Sequence, residues 1–109
     1  MLLAKRTYEI TQAFPPTEMY GMTSQLRRAS VSVPANIAEG YGRESTASFI
    51  QFLRVAQGSL KELETLTMIA GDVNLLSRLA TDELLAECGR AGILLRKLIR
   101  ALQAKASAG

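Results

Sequence analysis

Helix-breaking residues occur at only a few places in this chain, and they divide it into four segments of mostly helix-forming residues. The breaks fall at Pro15 and Pro16, at Gly21, at residues 40–42 and at residues 71–81. No run of alternating apolar and polar residues between hairpin turns favours a β-sheet. The sequence therefore predicts an all-α protein, an antiparallel up-down four-helix bundle in a single domain covering residues 1–109.

The predicted helices cover residues 2–14, 24–39, about 45–70 and the chain after residue 81. Ser24, Ser45 or Thr46, and Thr81 are the residue types that cap helix N-termini, and each precedes an apolar repeat. Gly40 follows the second repeat and is predicted to end that helix in a left-handed conformation.

Pro34 lies in the middle of the second segment. Proline removes one backbone hydrogen bond, so it either kinks a continuous helix or starts a new helix, which Ser32 would then cap. The 3.6-residue apolar repeat from Leu26 to Ile37 passes through Pro34 unbroken. This favours one continuous second helix with a kink at Pro34.

Apolar residues in the last two segments predict both a core and a contact surface. In the fourth segment they recur at intervals of four and three, which is typical of a bundle seam: Leu84, Cys88, Ala91, Leu95, Leu98 and Leu102. The third segment is apolar on two sides, including Ile50, Val55 and Ile69, so we expect its second side to contact another subunit. Gly58 in that segment is expected to permit a close approach of helices.

The absence of histidine excludes much catalytic chemistry. Histidine is the commonest general base and metal ligand, and a di-iron bundle requires it. The single cysteine, Cys88, falls on an apolar face, so we expect it to be buried rather than reactive. We therefore expect no enzymatic activity, no metal and no cofactor. Without a membrane-length apolar run or a signal-peptide core, the chain is predicted to be cytoplasmic.

Basic residues are the remaining candidates for a binding site. Thirteen Lys and Arg against ten Asp and Glu give a net charge of +3, and no acid follows Glu87. Seven side chains could contact phosphate or carboxylate groups: Arg27, Arg28, Arg43, Arg90, Arg96, Lys97 and Arg100. Those of the fourth segment, with Lys105, are predicted to cluster opposite the seam. They could equally form a solvated face or ion pairs to a neighbouring subunit.

Three stretches of the sequence resemble a known family. They read YGMTSQLRRA at residues 20–29, SVPANIAEGYG at residues 32–42 and GSLKELET at residues 58–65. This pattern resembles the small four-helix-bundle proteins encoded in intervening sequences of bacterial large-subunit ribosomal RNA genes. At its start the chain departs from the family, whose members usually have a longer first helix.

The resemblance implies a cytoplasmic bundle that assembles into a ring of five. Relatives include the accessory variability determinant of diversity-generating retroelements, which binds a reverse transcriptase and nucleic acid. The structural roles that the resemblance implies are a kink at Pro34, polar groups near it at Asn36 and Glu39, and helix termination at Gly40.

Two functional hypotheses follow from these features. In the first, the protein is a non-enzymatic homo-oligomeric scaffold or adaptor whose basic surface binds RNA, DNA or a nucleic-acid-handling partner such as a reverse transcriptase. In the second, it is a purely structural or protein-interaction ring whose arginines serve solubility and subunit contacts. Neither hypothesis involves a membrane.

Overall fold

The structure, a computed structural model, describes residues 2–108 and consists of four helices. These are α1 (Leu2–Thr11), α2 (Met22–Tyr41), α3 (Thr46–Asp72) and α4 (Arg78–Ala108), with one 3-10 turn at Pro16–Glu18. No strand occurs among residues 2–108. The molecule is elongated, measuring 51 × 22 × 18 Å. The predicted all-α four-helix fold is confirmed.

Helices α2 and α3 pack against each other in antiparallel orientation. Arg28, in the first half of α2, is ion-paired with Glu62 of α3. Gly40, at the far end of α2, lies against Phe52, which comes earlier in α3. Because residue numbers rise along one helix as they fall along the other, the two helices run in opposite directions.

The remaining contacts close the bundle. Gly71 of α3 lies against Thr81 of α4, and Leu60 lies near Gly92, so these two helices are also antiparallel. Helix α1 packs on both α2 and α4. Along the length of α1, the core is therefore enclosed by all four helices.

The core seam of α4 differs from the predicted seam in its last turns. Leu84, Cys88 and Leu95 are buried as expected, but Leu98 is 36% exposed and Ile99 is only 4% exposed. Leu98 lines an open cleft beside Leu3 at the start of α1. Ile99 rather than Leu98 therefore contacts the core, and the prediction that places Leu98 in the seam is wrong.

Two of the predicted helix starts differ from the observed ones. Helix α2 begins at Met22, before the expected cap Ser24. Helix α4 begins at Arg78, where Ser77 Oγ accepts a hydrogen bond from the Ala80 amide at 3.1 Å. Ser77 is thus the cap, because a cap must precede the first turn, whereas Thr81 lies inside the helix.

The start of α3 agrees with the prediction, whereas the end of α1 does not. Ser45 Oγ accepts a hydrogen bond from the Ser48 amide at 3.0 Å, which confirms Ser45 as the cap. Helix α1 ends at Thr11 rather than at Phe14. Phe14 is nevertheless buried, because the chain turns before Pro15 and directs its ring into the core.

Helix α2 continues without interruption through Pro34. A new helix starting at Ser32 is therefore wrong, while a bend of the axis at Pro34 stays a prediction. Polar groups nearby join two helices: Asn36 Nδ2 donates to the Ser32 carbonyl oxygen at 2.8 Å and to its hydroxyl at 3.0 Å. The Ser32 hydroxyl is in turn hydrogen-bonded to the Ser59 hydroxyl of α3 at 2.7 Å.

Gly40 has a different role from the predicted one. It lies inside α2, one residue before the helix ends, and no glycine among residues 2–108 has a positive φ. A Cβ at Gly40 would lie 2.7 Å from Phe52 Cβ and 2.9 Å from Phe49 Cδ1. Gly40 thus allows α2 and α3 to approach closely. Gly58 does not have this role, since nothing lies within 4 Å of its Cβ position.

Candidate nucleic-acid interface

The structure divides the seven predicted binding residues into two groups. Four of them, Arg27, Arg28, Arg43 and Arg90, interact with other side chains of the same chain. The other three, Arg96, Lys97 and Arg100, are exposed and form no ion pair within residues 2–108. Only this second group offers unpaired charge to a ligand.

Arg27 joins α1 to α2. Its Nε donates to Thr11 Oγ1 at 2.9 Å, and its guanidinium carbon lies 4.6 Å from the centre of the Tyr8 ring. Thr11 is itself buried and also donates to the Thr7 carbonyl oxygen. These contacts give Arg27 a structural role that its position in the sequence does not indicate.

The other three paired arginines are neutralised by carboxylates. Arg28 donates to Glu62 at 2.5 Å, and this carboxylate raises the pKa of Arg28. Arg43 pairs with Glu39, four residues earlier, at 2.6 Å. The guanidinium of Arg43 also lies 4.9 Å from the centre of the Phe52 ring. Glu39 therefore forms an ion pair at the C-terminal end of α2 and is not one of the hydrogen-bonded polar groups near Pro34.

Arg90 pairs with Glu87 at 3.0 Å along α4. Tyr41, at the end of α2, places its ring edge-on to Phe49 with 6.0 Å between centroids. Most of the Tyr41 ring nevertheless faces solvent.

Arg96 lies on the rim of an open cleft between α3 and α4. The cleft has a volume of about 650 Å³, and Lys61 of α3 lines it as well. Arg100 is one helical turn beyond Arg96, so it lies on nearly the same side of α4. Arg54 is two turns before Lys61, so these two side chains share a face of α3.

We call these four residues the α3–α4 strip: Arg54, Lys61, Arg96 and Arg100. Arg54 is exposed and forms no ion pair within residues 2–108, whereas Lys61 contacts Glu64 at 3.5 Å. Sequence reasoning overlooked Arg54 and Lys61. Their seven-residue spacing could have identified them, but only once the side of α3 that faces α4 was known.

Lys97 does not belong to this strip. Consecutive residues are separated by about 100° around a helix, so Lys97 points to a different side of α4 from Arg96. Arg90, two turns earlier, shares the side of Lys97. The basic residues of α4 therefore form two stripes rather than the single cluster predicted from the sequence.

Comparison with known proteins places the chain in a family. A family model described as 23S rRNA-intervening sequence protein matches residues 1–97. The chain belongs to this family. No curated protein matched the sequence.

Among solved structures, the bundle is similar to the crystal structure of a protein with unknown function from the S23 ribosomal protein family of Bacteroides thetaiotaomicron VPI-5482. The two superpose with a TM-score of 0.75 at 20% sequence identity, over 89% of this chain and 97% of that one. At this identity the likeness concerns the fold alone.

The α3–α4 cleft contains the chain's single cysteine. Cys88 lies at the floor, and burial, followed by the charges of Glu64 and Glu87, raises its pKa to about 12. The thiol is therefore neutral and a poor nucleophile at physiological pH. No three Cys, Asp or Glu side chains within residues 2–108 could hold a metal ion. None of the helices described is long and apolar enough for a membrane span.

Proposed function

We propose that the protein is a non-enzymatic, cytoplasmic scaffold that assembles into a ring, with five subunits as the resemblance implies, and binds nucleic acid through the α3–α4 strip. The supporting observation is the presence of three exposed cations, Arg54, Arg96 and Arg100, on two adjacent helices, none of which forms an ion pair with another residue between positions 2 and 108. The name of its family, which refers to an intervening sequence of 23S rRNA, supports RNA as the first ligand to test.

The chemistry of the strip suits a phosphate backbone better than base edges. Arginine side chains bind phosphate oxygens through charge-assisted hydrogen bonds, and such contacts carry no sequence information. In a ring, every subunit would repeat the same strip, so several weak contacts to one strand would add up. We therefore expect binding that depends strongly on salt and little on sequence.

Fluorescence anisotropy with a labelled single-stranded RNA of about 20 nucleotides tests the proposal, with DNA of the same sequence as a second ligand. Replacing Arg54, Arg96 and Arg100 by Ala should lower the affinity and reduce the slope of log affinity against log salt by about 2, at roughly 0.7 for each phosphate contact. The matched control replaces Arg28, Arg43 and Arg90 by Ala. It removes the same charge, but each of these arginines already has a carboxylate partner.

Equal losses in both triple variants would show that net charge, and not the strip, governs binding. Absence of binding at low salt and micromolar protein would favour the second candidate, a structural or protein-interaction ring. The observation that favours this alternative is the exposure of Val55 and Ile69 on α3. The family resemblance also implies a reverse transcriptase as a protein partner. Co-purification of the chain with a reverse transcriptase would support the adaptor role.

A further inference from the structure

The cleft between α3 and α4 has the size of a small-ligand site. Its volume of about 650 Å³ falls within the range of roughly 300–1,000 Å³ that is usual for such sites. Glycines line it on both helices, and nothing lies within 4 Å of the Cβ positions of Gly58 in α3 and Gly89 in α4. The cleft adjoins the α3–α4 strip, because Lys61 and Arg96 belong to both.

Apolar side chains also line the cleft. Leu60 of α3 is buried, and its Cδ2 atom lies 3.5 Å from the position that a Cβ would take at Gly92 of α4. Ile93, the next residue of α4, is partly exposed and lines the cleft as well. Contact with these two side chains favours a ligand that contains an apolar ring.

Glu64 is the one carboxylate among the residues that line the cleft. Only 26% of its side chain is exposed, and Lys61 Nζ lies 3.5 Å from its Oε1 atom. Among residues 2–108, no group donates a hydrogen bond to this carboxylate. Hydrogen bonds to a charged group that is partly withdrawn from water are strong. Glu64 therefore indicates a ligand with N–H donors.

Glu64 and Arg96 lie towards opposite ends of the cleft. Leu60 faces Gly92, and the two helices are antiparallel, so one turn beyond Leu60 and one turn beyond Gly92 lead in opposite directions. Arg96 Nη1 lies 3.7 Å from the Cβ position of Gly92, which places the guanidinium over the cleft. The two ends are separated by about two helical turns, or roughly 11 Å. A nucleotide is long enough to reach from one end with its base to the other with its phosphate.

Guanine is the base whose edge matches Glu64 and Lys61. Its Watson–Crick edge, the edge by which proteins read unpaired bases, presents two adjacent donors, N1–H and N2–H, followed by the acceptor O6. A carboxylate accepts both donors through its two oxygens, and an ammonium group beside it donates to O6. Adenine, cytosine and uracil each present one donor group on this edge, next to an acceptor that repels a carboxylate.

We propose that the α3–α4 cleft binds a guanine base, with Glu64 accepting hydrogen bonds from N1 and N2 and Arg96 contacting the phosphate. For a base within an RNA strand, this inference rests on the proposed function, because the α3–α4 strip holds the backbone of that strand. The strip itself reads no sequence, so the cleft adds a preference for guanine to an otherwise unspecific contact. Free guanosine monophosphate offers the same chemistry and is tested separately.

Fluorescence anisotropy with three labelled RNA strands tests the preference. Each is a polyuridine of about 20 nucleotides that carries guanine, adenine or inosine at every fifth position, since isolated guanines do not associate with one another. The guanine strand should bind at least about fivefold more tightly than the adenine strand, as expected of a bidentate contact to a base. Inosine lacks the N2 amino group, so the inosine strand should lose most of this advantage.

A matched pair of variants identifies the contact. Glu64→Gln should abolish the preference, because an amide supplies one acceptor and one donor in place of two acceptors. Glu87→Gln removes the same charge from α4, but Glu87 is not among the residues that line the cleft, so the preference should persist. The ratio of the guanine and adenine affinities is the readout, so the change in net charge cancels.

A third variant acts on the space rather than on the carboxylate. Gly89→Leu places a side chain in the cleft from α4, where the Cβ position is unobstructed. It should reduce the preference for guanine and change the affinity for the adenine strand by less than about twofold, because the cations of the strip are unaltered.

Isothermal titration calorimetry with guanosine and adenosine monophosphate distinguishes the two sources of guanine. Binding of guanosine monophosphate that Glu64→Gln abolishes would assign the cleft to a free nucleotide, even if no strand binds and the proposed function fails. A preference among strands without binding of either monophosphate would assign it to RNA. The inference is overturned if neither experiment shows a preference for guanine, or if the preference survives in Glu64→Gln. RNA binding without any preference would leave the proposed function intact.

Discussion

Gly40 of α2 and Gly58 of α3 have opposite surroundings. A Cβ at Gly40 would lie 2.7 Å from Phe52 Cβ, an atom that cannot move without its backbone. We predict that Gly40→Ala lowers the free energy of unfolding by about 1–3 kcal/mol, since α2 and α3 must separate to accept the methyl group. Urea unfolding followed by circular dichroism measures the change.

Gly58 supplies the matched control, because it is in α3 and its Cβ position meets nothing within 4 Å. There Ala removes backbone freedom from the unfolded chain without a clash, so Gly58→Ala should raise the free energy of unfolding by up to about 1 kcal/mol. Changes of the same sign at both positions would contradict the close approach at Gly40.

Cys88 should make the stability of the protein depend on alkaline pH. Burial raises the pKa of its thiol from 9.0 to about 12, so between these values the unfolded chain loses a proton that the folded chain keeps. Below pH 9 the thiol is protonated in both states and stability is unaffected. Above it, the free energy of unfolding should fall by at most about 1.4 kcal/mol per pH unit.

The measurement is urea unfolding of the native chain and of Cys88→Ala at pH 8 and pH 10.5. Other groups titrate in this range, but they are shared by both proteins, so the difference between the two pH dependences isolates the thiol. The native chain should lose more stability than the variant. Parallel losses would mean that Cys88 ionises as readily in the folded protein as in the unfolded one.

At the scale of elements, the docking of α1 depends on one residue of α2. Arg27 contacts both Thr11 and Tyr8, combining a hydrogen bond with a cation–π contact. We predict that Arg27→Ala lowers the free energy of unfolding by about 2 kcal/mol and increases amide hydrogen exchange in residues 2–11.

The neighbouring Arg28 provides the comparison for this experiment. Its partner is the carboxylate of Glu62, and the pair lies at an exposed site, where water screens the attraction and an ion pair contributes little to stability. Arg28→Ala should therefore leave exchange in α1 unchanged. If Arg27→Ala behaves like Arg28→Ala, α1 is held by its apolar face alone.

Features determined by nearby residues could be predicted from the sequence. Ser45 caps α3 because its hydroxyl reaches an amide only three residues ahead, and the four helices follow from apolar repeats of the same short range. The pairing of Arg28 with Glu62 joins residues 34 positions apart. No local pattern indicates such a contact, so the sequence could not identify Arg28 as a paired arginine.

Features determined by neighbouring helices could not be predicted. Glycine is common at helix ends, so the sequence predicts that Gly40 terminates α2. The structure instead places Gly40 against two phenylalanines of α3, where a side chain would not fit. Leu98 and Ile99 are both compatible with a repeat of three and four, and only the packing of α4 against the other helices shows that Ile99 is the buried one. Arg54 became a candidate for the α3–α4 strip only when α4 was placed beside α3.

At the scale of the whole molecule, the outer face of α3 is the surface expected to drive assembly. Val55 is 52% exposed, and Ile69 lies four turns further along nearly the same side of the helix. Together with Val73, also exposed, they form an apolar stripe along much of α3 that is interrupted on the same side by Glu62. Burial of this stripe against a neighbouring subunit would remove it from water.

We predict that size-exclusion chromatography with light scattering gives a molar mass near 59 kDa, which is five times the chain mass of 11.8 kDa. A two-fold dimer, the commonest homo-oligomer, would instead give 23.6 kDa, twice the same mass. Only the family resemblance favours five subunits over two, whereas the exposed stripe on α3 favours assembly of either kind. Val55→Glu should lower the mass by placing a charge in the contact, and Glu44→Gln, in the loop before α3, should not. A stable dimer would thus contradict the ring, and a monomer at high micromolar concentration would contradict the role of the stripe as well.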